Sequence, residues 1–85
     1  MLEKELAISI ENGLHARPAA DLVKGLKQFS SAVELYAGNK QYNAKSVLSL
    51  MSASIKQGEM VRIKTSGSDE QEAMDWIAGF LTEGN

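Results

Sequence analysis

The chain contains no cysteine, which excludes disulfides, thiolate metal sites and thiol catalysis. With one histidine, His15, metal sites built from several imidazoles are excluded too. No stretch approaches the roughly 18 consecutive apolar residues of a membrane span. The opening Met1-Leu2-Glu3-Lys4-Glu5 has no basic region leading into an apolar segment, so a cytoplasmic protein without membrane insertion is expected. Aromatic residues are scarce, at 6%, and are not interleaved with basic ones, which leaves no base-stacking surface. Nine basic residues against eleven acidic ones give a formal charge of -2. That balance argues against nucleic acid as a partner and favours small proteins.

What is present suits one small globular domain spanning residues 1–85. Leu6, Ile8 and Ile10 alternate with Ala7, Ser9 and Glu11, predicting a strand over residues 3–10. Ala19, Leu22, Val23 and Leu26 form an apolar stripe that predicts a helix from Ala16 to Lys27. Arg17, Asp21, Lys24 and Gln28 fall on its outer side, and Pro18 belongs in its first turn. Val33 and Leu35 mark a second strand, which Gly38-Asn39 turns back into a short third strand near Lys40 to Asn43. Ser46 precedes Val47, Leu48, Leu50, Met51 and Ala53, a two-turn helix with serine as its cap. Val61, Ile63 and Thr65 predict a fourth strand that ends at Gly67.

Ser68 and Gln71 have the spacing of a capping box, with Asp69 and Glu70 complementing the start of a last helix. Ala73, Ile77, Phe80 and Leu81 are its expected buried stripe, with Trp76 and Phe80, four apart, as packing residues or partly exposed cover, and Thr82 to Asn85 its frayed end. The order is βαββαβα, the split βαβ arrangement with strands one and two separated by another strand. It predicts an α/β protein of the α+β two-layer kind, a four-stranded antiparallel sheet with three helices on one face.

The chemistry points to His15. A glycine turn, Asn12-Gly13, runs through His15 into a helix start with Pro18 in its first turn. Unpaired backbone N–H groups and the positive end of the dipole make such a start an anion site. A neutral imidazole there offers one ring nitrogen as an unprotonated nucleophile able to accept a phosphoryl group. Arg17 adds a fixed cation suited to phosphate oxygens. Hydrolase chemistry lacks support, since no G-x-S-x-G or metal-protease pattern occurs. No cofactor is implied.

Gly13-Leu14-His15-Ala16-Arg17-Pro18-Ala19 resembles the active-site motif of the HPr family, the histidine-containing phosphocarriers of the bacterial phosphotransferase system. Asn43-Ala44-Lys45-Ser46-Val47 resembles that family's second motif, around a regulatory serine, and Gly67-Ser68-Asp69-Glu70 is similar to its entry to the last helix. The resemblance covers essentially the whole chain. It implies a carrier without turnover of its own, taking phosphate on Nδ1 of His15 from phosphorylated Enzyme I and passing it to enzyme IIA-type components, with Arg17 stabilising the phosphate. It further implies a monomer and a docking surface of Ala16, Ala20, Lys24, Lys27, Val47, Leu48 and Met51. Ser46 would be the target of an HPr kinase/phosphorylase, its phosphorylated form read by a catabolite-control transcription factor. Two positions depart from the pattern. Ala20 replaces a frequent threonine, and Ser49 replaces the usual glycine, adding a side chain where a kinase or transcription factor would approach. The resemblance also admits a paralogue that acts mainly as a regulatory binding protein in catabolite or nitrogen control. A purely regulatory member has no need of His15 and Arg17.

Overall fold

The computed structural model describes residues 1–83. Its elements are β1 (Leu2–Ala7), α1 (Ala16–Leu26), β2 (Ala32–Ala37), β3 (Lys40–Asn43), α2 (Val47–Ala53), β4 (Met60–Ser66) and α3 (Glu70–Glu83). The strands form one antiparallel sheet in the order β1-β4-β2-β3. Alternation dictates its two faces. Leu6, Val33, Leu35, Val61 and Ile63 are buried against the helices, while Glu3, Glu5, Arg62, Lys64 and Glu34 share the opposite face by register. There Arg62 lies 3.7 Å from a Glu3 carboxylate oxygen and 4.7 Å from the centre of the Tyr36 ring. The predicted βαββαβα sandwich is therefore the observed one.

β1 is shorter than its side-chain pattern. Burial alternates through Ile10, yet the ladder to β4 stops at Ala7–Met60. A turn over residues 56–59 breaks it. The Ile8 N–H donates to the Glu59 carbonyl, and the Ser9 N–H then leaves the sheet for the Leu81 carbonyl at the end of α3. α1 ends one residue before its predicted end, with Lys27 as C-cap, and buries Pro18, Ala19, Leu22, Val23 and Leu26.

The Ser68–Gln71 capping box does not form. Gln71 instead donates to Asp75 (2.9 Å), Ser68 Oγ faces Ser30 Oγ (3.3 Å), and a Glu70 carboxylate oxygen accepts the Gly67 N–H (3.1 Å). Asp69 turns away from the helix. Its carboxylate accepts the N–H groups of Ser30 and Ser31, each at 2.9 Å, and the Ser31 hydroxyl. Ser31 is buried, and a buried donor without a partner would be costly. The bond from the Ser31 hydroxyl, followed by that from the Ser30 N–H, lowers the Asp69 carboxyl to about 2.

The stripe of α3 also differs from the prediction. Ala73, Ile77 and Leu81 are buried together with Met74 and Ala78, whereas Phe80 is half-buried and stacks on Trp76 at 5.4 Å. Of the tail expected to fray, Thr82 and Glu83 belong to α3, and residues 84–85 lie outside the described residues. Among the described residues no helix is long and apolar enough to cross a membrane.

Candidate functional site

Two consecutive left-handed residues, Asn12 (φ 66°) and Gly13 (φ 76°), reverse the chain after Ile10. At Gly13 this is more than a turn preference. A Cβ there would come within 2.3 Å of the Ile55 carbonyl oxygen and 2.8 Å of Lys56 Cα, closer than real side chains approach backbone. The contact lets the Leu14 N–H donate to the Ile55 carbonyl at 3.0 Å, and buried Leu14 pins the loop. The histidine loop is thus docked on the turn between α2 and β4.

His15 follows as the N-cap of α1, with extended backbone (φ -81°, ψ -171°). Its carbonyl accepts the Ala19 N–H at 3.0 Å. The ring makes no capping bond and is exposed. Pro18 carries no N–H, so the first turn leaves the Ala16 and Arg17 N–H groups without an intrahelical acceptor. No acidic residue occupies that turn. Arg17 is exposed.

A shallow hollow opens on each side of the ring. On the α1 side His15 is joined by Glu11, Asn12, Arg17, Pro18 and Asp21. On the α2 side it is joined by Asn12, Met51, Ser54, Ile55 and Lys56. Two larger hollows, one between β2 and β3 around Glu34, Gln41 and Lys45 and one around Tyr36 and Arg62, contain no residue of the histidine loop.

Ser46 caps α2 as expected, its Oγ accepting the Ser49 N–H at 3.2 Å. Ser49 is not a free face residue. It is half-buried, and its Oγ accepts the Asn43 N–H at 2.9 Å, tying α2 to the end of β3. α1 and α2 lie side by side and run in opposite directions. The end of α2 meets His15, while Lys45, just before α2, donates to the Phe29 carbonyl just after α1 at 2.7 Å.

This arrangement distributes the sequence-derived docking residues along one pair of helices. Ala16 and Met51 line the α2-side hollow with His15. Ala20 and Lys24 are exposed along α1, and Lys27 is exposed at its C-cap. Leu48 is 82% exposed and Met51 45%, unusual for large apolar side chains, whereas Val47 is half-buried and Leu50 is core. Ser46 stands apart from His15, at the far end of the pair. Lys56 was not singled out from the sequence, because the Gly13 contact is what brings its turn to the histidine.

The fold, with an exposed histidine capping its first helix, defines a class found among solved structures. The chain superposes on a phosphocarrier protein HPr from Bacillus anthracis with a TM-score of 0.91, at 38% identity, covering 94% of this chain and 95% of that one. It is 40% identical over 81 residues to an HPr-like protein Crh of Halalkalibacterium halodurans (95% of this chain, 96% of the relative). To a phosphocarrier protein HPr of Haemophilus influenzae it is 38% identical over 81 residues (95% of each). The family described as "PTS HPr component phosphorylation site" matches residues 2–83. The chain belongs to the HPr family.

Proposed function

We propose that this chain is a phosphoryl carrier in which His15 accepts phosphate on Nδ1 from phosphorylated Enzyme I and hands it to enzyme IIA-type components. The observation that carries this reading is His15 itself, an exposed N-cap whose ring is uncommitted and whose helix has two free N–H groups and no carboxylate in its first turn. A ring nitrogen lone pair forms the N–P bond as the donor's bond to phosphorus breaks. The second transfer reverses the step on the acceptor. Phosphate oxygens can take the Ala16 and Arg17 N–H groups and the Arg17 guanidinium. Ala16, Ala20, Lys24, Lys27, Val47, Leu48 and Met51 supply the docking face.

Ser46 serves as the regulatory site in this reading, modified by an HPr kinase/phosphorylase and recognised by a catabolite-control transcription factor. Phosphate there adds about -1.5 to -2 charges to the docking face. It opposes an acidic Enzyme I surface electrostatically, without refolding.

The test is incubation with phosphoenolpyruvate, magnesium and Enzyme I, followed by intact mass and acid lability. An acid-labile phosphate is expected on the natural chain and none on a folded His15→Ala variant. Uptake by that variant refutes the role of His15. Absence of transfer from a competent Enzyme I refutes the carrier reading and leaves a regulatory binding role, the relatives bearing both the HPr and the Crh names.

A further inference from the structure

We infer that Lys56 is a second cation for a phosphoryl group on His15, reaching it from the α2 side; this rests on the carrier reading above. His15 lines two hollows at once, with Arg17 in one and Lys56 in the other. The hollows differ in charge. Beside Arg17 stand the carboxylates of Glu11 and Asp21, which offset it. On the other side Lys56 is the one charged side chain accompanying the histidine.

The main chain of Lys56 is held in place against the loop. The Leu14 N–H bonds the carbonyl of the preceding Ile55, and Gly13 packs on Lys56 Cα. The Lys56 N–H donates to the Glu59 carboxylate at 3.0 Å, and its carbonyl accepts the Glu59 N–H at 3.1 Å. The ammonium forms no ion pair among the described residues. It is a mobile point charge on an anchored base, suited to a dianion that comes and goes.

Phosphoramidate tests this without Enzyme I. It donates its phosphoryl group to a ring nitrogen, forming the N–P bond of phosphohistidine and releasing ammonia. The 31P resonance of phospho-His15 is then followed against pH. Removing a neighbouring cation eases protonation of both the phosphate and the ring, so Lys56→Ala should titrate higher than the natural chain. The expected rise is about half to one pH unit, the effect of one charge some 4–6 Å away in water-like surroundings. Lys56→Arg should restore the natural titration, and added salt should shrink the difference. Lys64→Ala, a charge-matched control on the open sheet face, should titrate like the natural chain.

A Lys56→Ala curve within about 0.2 unit of the natural one, or an equal shift in Lys64→Ala, overturns the assignment. So does failure of phosphoramidate to form any His15 adduct. If Enzyme I fails to phosphorylate the chain while the adduct titrates as expected, the carrier reading falls and the role of Lys56 stands.

Discussion

Replacing Gly13 by alanine should separate two effects that are usually confounded, left-handed strain and steric contact. Gly38 supplies the reference. Both residues have positive φ, 76° and 63°, but a Cβ at Gly38 would meet nothing within 4 Å. Gly38→Ala should therefore cost only the left-handed penalty of a Cβ, about 1 kcal/mol. Gly13→Ala should bear that same penalty plus about 1–3 kcal/mol for forcing a methyl onto backbone atoms. Loss of the Leu14–Ile55 hydrogen bond adds about 1 kcal/mol. The expected total is about 3–5 kcal/mol, a fall in Tm of roughly 15 °C or more for a domain of this size.

Urea unfolding followed by circular dichroism and by fluorescence of Trp76, the sole tryptophan, gives both values in one assay. With a slope of about 1–1.5 kcal/mol per molar urea, the Gly13→Ala midpoint should fall about 2–5 M and the Gly38→Ala midpoint about 1 M or less. If the two variants lose the same stability within about 0.5 kcal/mol, the close docking of the histidine loop on the 55–56 turn is refuted.

The Asp69 clip predicts a pH dependence. Its folded carboxyl is lowered to about 2, below an unfolded value near 3.9. Its stabilisation is therefore complete above about pH 4 and lost as pH falls toward 2; denaturation midpoints across that window should show a weaker acid dependence in Asp69→Asn than in the natural chain. Gly25→Ala sets helix propensity against packing. Alanine is favoured by about 1 kcal/mol, but its Cβ would lie 2.1 Å from the Trp76 ring, so net destabilisation with altered Trp76 emission is expected. In a Trp76→Leu background the same substitution should instead stabilise, and a loss in both backgrounds refutes the contact.

The strands were legible because alternation is a local record of which face is buried; Val33, Leu35, Val61 and Ile63 appear in the core as their spacing requires. The histidine site was legible for a similar reason. Turn, cap, cation and proline fall within the seven residues from Asn12 to Pro18. What the sequence concealed was set by distant partners. Ser68 and Gln71 have capping-box spacing, but Ser30 and Ser31, nearly forty residues earlier, draw Asp69 across to them. β1 stops short of its pattern because a turn on the neighbouring segment ends the ladder. Lys56 looks like any surface lysine until Gly13 is seated on it.

The opposed directions of α1 and α2 place their caps, His15 and Ser46, at opposite ends of one face. At 1.5 Å per residue the seven residues of α2 span about 10 Å, more than the screening length of about 8 Å at physiological salt. Phosphates at the two ends would scarcely sense one another in the free chain. A partner covering the face would meet both. The helix pair would thus behave as a two-input reader, the conflict between the marks expressed only where a partner, Enzyme I included, spans the face.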